Sequence, residues 1–138
     1  MRLTTTEIFS LVWDQVRGSA LGQAVPQMYA DHYPTLGKDD LSGEFIVLTS
    51  LTNVMGDEQV ATVNVNIYVP DTTPTLSGVE QRYMNRRRLS ELTRIAYESI
   101  RNYPIDERYF FDISDETLLS EEEIPYSFSN IKVKLKKY

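Results

Sequence analysis

The segment at residues 61–71, ATVNVNIYVPD, constrains the fold more than any other part of the chain. Every second position is apolar, while Thr62, Asn64, Asn66 and Tyr68 occupy the alternate positions. Strict alternation is typical of a strand in an antiparallel sheet that packs one face on a core and leaves the other face open. The sequence therefore predicts such a sheet, and its second face carries polar but uncharged side chains.

Composition narrows the class of protein further. The chain has 138 residues, 41% of them hydrophobic and 25% charged, which is typical of one globular domain and atypical of a disordered chain. A formal net charge of −6 disfavours binding to nucleic-acid phosphates, which needs a basic surface. No cysteine is present, so disulfides and thiolate nucleophiles are excluded. We expect no signal peptide and no membrane span, because the apolar runs are short.

Two segments have the pattern of helices. Residues 5–17 follow Thr4, and Glu7 completes a capping box in which each side chain binds the other residue's backbone N–H. Residues 79–102 carry an apolar stripe centred on Leu92, opposite a face of alternating charges. The sequence therefore predicts one helix near the start of the chain and a longer one in its second half.

The region between these helices predicts a β-hairpin. Residues 44–51 and 58–69 have the composition of strands, and the turn at 52–57 contains Gly56, for which we expect a positive φ. The preceding segment, 18–43, is rich in glycine and proline and is predicted to be irregular, apart from a possible short strand at 27–30.

Two more strands are predicted after the long helix. Residues 109–114 form the first, residues 115–125 an acidic connector, and the segment from 126 onward the last strand. The apolar positions change phase near Ser129, which predicts a β-bulge at Ser129–Asn130. Alternating lysines at the end of this strand predict a solvated or edge position.

These elements define the expected architecture. We predict a single α+β domain over residues 1–138, in the order α-β-β-α-β-β, with a long hairpin in an antiparallel sheet. Two helices are expected to pack on one face of that sheet, because an isolated hairpin is only marginally stable in water.

The residues do not predict an enzyme. No GxSxG, GxGxxG or GxxxxGK[ST] motif is present, and His32 is the single histidine. The run SEEEIP at 120–125 lacks the spaced oxygen ligands and the glycine of a calcium loop. We expect no catalytic residues, no metal and no cofactor. A small-ligand site around His32, Tyr29 and Tyr33 remains an alternative.

The uncharged strand face predicts contact with another subunit, because interfaces are depleted in lysine and glutamate and enriched in tyrosine. Arg88 borders an apolar helix stripe, and Trp13 widens the apolar stripe of the first helix. The predicted interface residues are therefore Asn64, Asn66, Tyr68, Arg88 and Trp13. If the face is open in the monomer, Asn66→Lys combined with Tyr68→Glu should abolish assembly and leave thermal stability nearly unchanged.

Three spans, VNVNIYVPD, RLSELTRIAYESI and FSNIKVKL, together with the order of elements, resemble the tail-terminator (tail-completion) proteins of long-tailed bacteriophages and related prophages. The resemblance extends over nearly the whole chain and rests on topology and pattern. It implies a small α+β subunit that assembles into a ring, which caps the tail tube and joins it to the head-side connector. That family has no fixed catalytic residues.

The resemblance also implies partners and a location. We expect a homo-oligomeric ring, with six subunits as the favoured number, in contact with the tail tube and the head-side connector proteins. The protein would reside in the virion neck and, during assembly, in the host cytoplasm, with no direct contact to nucleic acid or membrane. A different head–tail adaptor or tube-like subunit is an alternative.

Overall fold

A computed structural model describes residues 3–34 and 41–138 of the protein. Within these residues the chain folds into a curled six-stranded sheet with three helices, so the predicted mixed α+β class is confirmed. The helices are α1 (Thr5–Gly18), α2 (Ala20–Ala24) and α3 (Arg86–Ile100). The strands are β1 (Met28–Ala30), β2 (Phe45–Met55), β3 (Gln59–Pro70), β4 (Thr75–Leu76), β5 (Val79–Glu80), β6 (Tyr103–Pro104), β7 (Tyr109–Ser120) and β8 (Tyr126–Lys137).

The sheet is built around β3. Its strand order is β1-β2-β3-β8-β7-β6, in which β1 runs parallel to β2 and every other pair is antiparallel. Strands β4 and β5 form a separate two-stranded hairpin. None of the helices in the described part of the chain is long and apolar enough to cross a membrane.

The first helix follows its sequence signal closely. Both hydrogen bonds of the capping box are present, from the Glu7 N–H to Thr4 Oγ1 at 3.1 Å and from the Thr4 N–H to Glu7 Oε1 at 3.0 Å. Ile8, Val12 and Val16 form its buried stripe, as the helical period requires. The prediction for this helix is confirmed.

The segment after α1 is more regular than its composition predicts. Helix α2 begins directly after Ser19, and an added Cβ at Gly22 would lie 2.4 Å from the Arg17 carbonyl oxygen. Gly22 is therefore required by the close approach of the two helices. The short strand expected at 27–30 is present as β1. Residues 35–40, also within the predicted irregular segment, lie outside the described residues.

The long helix is shorter than predicted. It begins at Arg86, where Asn85 Oδ1 accepts a hydrogen bond from the Arg88 N–H at 3.2 Å. The residues expected to form its first two turns instead form the β4–β5 hairpin, because Ser77 and Gly78 both adopt positive φ. Two such residues in succession are the requirement of a tight hairpin turn. We call residues 72–83 the arm.

Two strands are longer than predicted. Strand β2 continues to Met55, so the turn of the β2–β3 hairpin is confined to residues 56–58. Gly56 is not among the residues with positive φ, so that expectation is wrong. Strand β7 continues to Ser120, through much of the segment expected to be an acidic connector, because it keeps pairing with β8 as far as Ser127.

The predicted bulge at Ser129–Asn130 is wrong. Strand β8 pairs with β3 without interruption from Tyr126 to Leu135, and the nearby irregularity lies on β7, between Ile113 and Asp115. Strand β8 is also an interior strand between β3 and β7, not an edge. The phase change has another cause. Ser129 faces α3, where Thr93 Oγ1 donates a hydrogen bond to Ser129 Oγ at 2.9 Å.

Two buried clusters lie on opposite sides of β3. The larger one combines the apolar stripes of α1 and α3 with the odd-numbered side chains of β3, such as Val63, Val65 and Ile67. The smaller one contains the even-numbered Tyr68 and mainly aromatic neighbours. Its members are Tyr33, Phe45, Val47, Tyr68, Ile124 and Tyr126, with Tyr29, Leu41 and Phe128 packed against them. We call it the aromatic cluster.

Arg82 connects the arm to the sheet. Its guanidinium binds the Asp71 carboxylate and donates to the carbonyl oxygens of Glu121, Ile124 and Tyr126 at 2.5, 3.0 and 2.8 Å. The Asp71 side chain is only 1% exposed, and Ser127 Oγ donates to it at 2.6 Å. One side chain therefore joins the arm, the end of β3 and the loop between β7 and β8.

We expect Arg82→Ala to lower the free energy of unfolding by about 2 kcal/mol, because it leaves a buried carboxylate without its cation. Urea denaturation followed by circular dichroism measures the change. Arg87→Ala is the matched control, since that side chain is 91% exposed and forms only a surface pair with Glu91. Equal stability of the two variants would contradict the role assigned to Arg82.

Candidate subunit-interface surfaces

The side of the sheet that carries the even-numbered residues of β3 is polar along its middle. Antiparallel pairing places Asn64 between Thr49 on β2 and Lys132 on β8. The next row places Asn66 between Val47 and Asn130. Directly opposed residues project on the same side of a sheet, so these side chains share one surface. We call the part of this side that the aromatic cluster does not occupy the open face.

Hydrogen bonds order the open face only in part. Asn130 Nδ2 donates to Asn66 Oδ1 at 2.5 Å, and Lys132 Nζ donates to Asn130 Oδ1 at 2.9 Å. The neighbouring Asn64 Oδ1 is buried, yet it has no hydrogen-bond partner among the described residues. A buried acceptor without a donor costs free energy. Within the described part of the chain, Asn64 Oδ1 therefore lacks the donor that a buried acceptor requires.

Tyr68 does not belong to the open face in the way its sequence position predicts. It is 5% exposed, and its ring stacks between Phe45 and Phe128, with centroid separations of 4.7 and 4.6 Å. The segment around Tyr33 and the loop at Ile124 cover this end of the sheet. The expectation that the whole face is exposed in the monomer is therefore wrong at the Tyr68 end.

Two glutamates of the loop between β7 and β8 accept hydrogen bonds from the aromatic cluster. Tyr68 Oη donates to Glu121 Oε2 at 3.5 Å, and Tyr33 Oη donates to Glu123 Oε2 at 3.4 Å. Burial and the negative charges of Glu121 and Glu123 raise the pKa of Tyr33 to about 12. Burial, followed by the negative charge of Glu121 and the neighbouring Tyr33, raises the pKa of Tyr68 above its ordinary value. Both phenols are therefore neutral donors at physiological pH.

The side chains proposed for a small-ligand site lie at the aromatic cluster. Tyr29 and Tyr33 both pack their rings on Phe45, with centroids 5.7 and 5.8 Å away, and Tyr33 is buried. His32 is exposed beside Tyr33. Among the described residues, no group of three or more His, Asp or Glu side chains is placed to hold a metal ion.

Arg88 is engaged within the chain. It donates through Nε and Nη2 to the two carboxylate oxygens of Glu44, at 2.6 and 2.9 Å, and through Nη1 to Glu91 at 3.2 Å. The hydrogen bonds to Glu44 raise the pKa of Arg88 above its ordinary value. This bidentate pair fixes the start of α3 against the start of β2. Whether Arg88 also contacts a neighbour stays a prediction.

Trp13 lies on the outer side of α1. It is partly buried, and its ring stacks on Phe9 with centroids 6.0 Å apart. Both rings line a shallow groove with Asp14 and with Ala30, the last residue of the edge strand β1. A second groove, on the adjacent side of the helix, is lined by Leu3, Thr6, Glu7, Ser10, Leu11 and Asp14. We call the second one the helix groove.

The β2–β3 hairpin carries exposed apolar side chains that the sequence interpretation missed. Val54 and Val60 are directly opposed and are 57% and 43% exposed. Leu51 and Met55, on strand β2 of the hairpin, are 53% and 47% exposed. The missed signal is that strand-like residues continue through 52–55, a segment interpreted as a turn. These residues extend the candidate interface towards the end of the hairpin.

Comparison with known proteins assigns no family. No protein-family model matches the chain, and a search of curated proteins finds no match. The function is therefore inferred from the residues and their geometry.

The substitutions Asn66→Lys and Tyr68→Glu are expected to affect stability differently when each is made alone. We expect Tyr68→Glu alone to destabilise the fold by about 3 kcal/mol or more, because it removes a stacked ring and buries a carboxylate. Asn66→Lys changes a partly exposed side chain and should cost less than about 1 kcal/mol. Thermal unfolding of the two single variants measures both effects. A Tyr68→Glu protein as stable as the parent would contradict the burial described above.

Asn64 is expected to favour assembly at the cost of monomer stability. Asn64→Val removes the unpaired acceptor and introduces a β-branched residue, so it should stabilise the monomer by about 1 kcal/mol. If a neighbouring subunit supplies the missing donor, the same variant should assemble less well. Chemical denaturation and sedimentation velocity measure the two properties. Asn130→Val is the contrasting control, because it breaks existing hydrogen bonds and should destabilise the monomer.

Proposed function

We propose that the protein is a structural, non-catalytic subunit of a bacteriophage or prophage tail neck. Six copies are proposed to form a ring that caps the tail tube and meets the head-side connector, as the resemblance to tail-terminator proteins implies. The observation that carries the proposal is a sheet side that combines Asn64, Asn66 and the lysines of β8 with exposed valines on the long hairpin. The virion neck is the proposed location.

The layered arrangement supports this proposal. In the proposed subunit, α1 and α3 together cover one face of the sheet, which fits the membership of both helices in the larger buried cluster. The opposite face then remains available for a neighbour, except where the aromatic cluster is covered by the chain's own loops. A subunit with two different sides is suited to a ring, in which each copy contacts two neighbours.

The exposed hairpin residues also support assembly. Contiguous apolar patches on soluble monomers are limited in size, and larger ones mark contact sites. Here Val54 and Val60 lie opposite each other on one side of the hairpin, and Leu51 adds exposed apolar area on β2. Met55, opposite Gln59, projects on the other side. An exposed pair of strands with such side chains is an aggregation hazard unless another surface covers it.

Two alternatives follow from the same features. A different head–tail adaptor or tube-like subunit would expose a similar sheet and would also self-associate, but it would bind another part of the virion. A small-ligand module around His32, Tyr29 and Tyr33 would need no self-association. The packing of both tyrosines on Phe45 favours the structural alternatives.

Measurement of the mass in solution tests the proposal. We expect a concentration-dependent equilibrium between monomer and a closed ring of six, visible by native mass spectrometry and as annular particles by negative-stain electron microscopy. Purified phage tail tubes that lack their terminal ring provide the second arm, because a ring can require its template. A protein that remains monomeric at every concentration and also fails to bind tubes would overturn the proposal.

The hairpin valines should control this assembly. We expect Val54→Thr with Val60→Thr to raise the concentration for half-assembly about tenfold, since less apolar surface is removed from water. Monomer stability should change by less than about 0.5 kcal/mol, because both sites are exposed. The matched control is Leu76→Thr with Val79→Thr on the arm, where the two residues are 50% and 57% exposed. Equal weakening by both pairs would argue against a specific hairpin contact.

A further inference from the structure

We propose that subunits join through two different surfaces, the helix groove of one copy and the hairpin valines with their neighbouring lysines on the next copy. We call the second surface the valine–lysine patch. This inference rests on the proposed function, since it names the contact from which the ring is built. It assigns the occupant of both surfaces as a second copy of this chain.

The helix groove has an apolar floor and carboxylates at its rim. It is an open depression of about 340 Å³ between Leu3 and the exposed side of α1, and Leu11 is 36% exposed there. Glu7 and Asp14 lie two helical turns apart on the same side of α1, and the described residues that line the groove include no basic side chain. Arg17 belongs to the last turn of the helix and is not among these lining residues. The groove is therefore suited to an apolar projection with cations beside it.

The valine–lysine patch has the opposite character. Val60 directly precedes Ala61, which is paired with Leu135, so Lys136, the residue after Leu135, lies beside the Val54–Val60 pair on the open face. Lys134 lies one row further along, opposite Thr62. Phe110 and Tyr138 extend the surface, with ring centroids 4.8 Å apart. The patch is therefore an apolar projection with ammonium groups beside it.

Nearby carboxylates reduce this positive charge without removing it. Lys136 Nζ lies 3.8 Å from Asp112 Oδ2. Lys134 forms no ion pair with a carboxylate in the described part of the chain. Asp57 and Glu58 both lie in the hairpin turn, beyond the valines. The ammonium groups and the turn carboxylates thus lie at different ends of the valine pair. This charge order gives a docked groove a preferred orientation.

Neither surface fits a second copy of itself. Two helix grooves would oppose carboxylates to carboxylates, and two patches would oppose lysines to lysines, with two projections facing each other. A groove against a patch joins opposite charges and places a projection in a concavity. The buried stripe of α1 packs on the odd-numbered side chains of β3, whereas the patch lies on the even-numbered side. The helix groove and the patch are therefore on opposite sides of the subunit. The contact is therefore heterologous, which generates a ring when the rotation closes.

The contact also accounts for the predicted interface residues that remain available. Asn64 and Asn66 lie on the open face, in the rows that follow the patch along β3. Trp13 lines the adjacent groove on the same helix, and Asp14 lines both grooves. A neighbour seated on both surfaces would reach these three residues. Tyr68 and Arg88 are the candidates already engaged within the chain.

Complementary charge reversal tests the assignment. The first variant, Lys136→Glu, makes the patch negative like the groove. The second, Asp14→Lys, makes the groove more positive, like the patch. In each variant the two surfaces therefore become more alike in charge. We expect each variant alone to raise the concentration for half-assembly about tenfold, and a 1:1 mixture to restore it to within about twofold of the parent. In the mixture, each altered patch meets an altered groove, and each natural patch meets a natural groove. Sedimentation velocity and native mass spectrometry measure the assembly.

Matched controls separate this effect from a general change in charge. Arg87→Asp and Glu80→Lys make equivalent reversals at exposed positions away from both surfaces, and they should leave assembly unchanged. Thermal unfolding of every variant establishes that it is folded. If folded Lys136→Glu and Asp14→Lys proteins assemble like the parent, or if their mixture gives no recovery, the pairing of groove with patch is overturned while the ring itself stands. A parent protein that never assembles overturns the proposed function together with this inference.

Cross-linking gives a second, independent readout, because the chain contains no cysteine. Leu11→Cys and Val60→Cys place single thiols in the groove and in the patch. A short bis-maleimide should link the two variants to each other when they are mixed, and it should link neither efficiently to itself. Val79→Cys, at a similarly exposed position on the arm, replaces Val60→Cys as the control. Efficient self-linking of either single variant would indicate a two-fold contact and overturn the proposal.

Discussion

The structure depends on the pairing of β3 with a strand on each edge and a packed layer on each side. Its hydrogen bonds join β2 and β8, its odd-numbered side chains enter the larger core, and Tyr68 enters the aromatic cluster. A slip of one residue would place Asn64 and Asn66 in the core and Val65 on the open face. The register of this strand is therefore strongly determined, and the positions of both helices and of the open face follow from it.

The two layers divide the length of the sheet between them. Near the end of β3, small side chains on β8 allow α3 to approach, and Thr93 meets Ser129 through a hydrogen bond. On the other side of the same rows, Phe128 and Tyr68 stack beneath the chain's own loops. Towards the hairpin, Asn64 and Asn66 are partly exposed, Thr62 is 5% exposed, and Val54 and Val60 are 57% and 43% exposed. One strand thus supplies a buried aromatic side chain at one end and an exposed valine at the other.

The alternation of β3 and the capping box at Thr4 were sufficient to predict the mixed α+β class, the β2–β3 pair and the first helix. Local signals for the arm were also present, in Ser77-Gly78 and in Asn85, but the charged residues after them favoured an extended helix. The burial of Tyr68 could not be predicted in this way. It depends on a segment near Tyr33 and a loop near Ile124, which are distant in sequence and reach the same end of the sheet. Periodicity identifies the two faces of a strand, whereas long-range contacts decide which part of a face is covered.

The polar side chains differ in whether they find a hydrogen-bond or ion-pair partner within the described part of the chain. Arg88 and Arg82 each bind a carboxylate in the chain, and the phenols of Tyr33 and Tyr68 each reach a glutamate. Asn64, by contrast, keeps a buried acceptor without a donor among the described residues. A fold selected for monomer stability alone would replace such a side chain with a β-branched one at little cost. Among the described residues, the Asn64 acceptor and the exposed valines of the hairpin are thus the positions where the chain leaves favourable interactions unmade, and the proposed second copy would cover the valines.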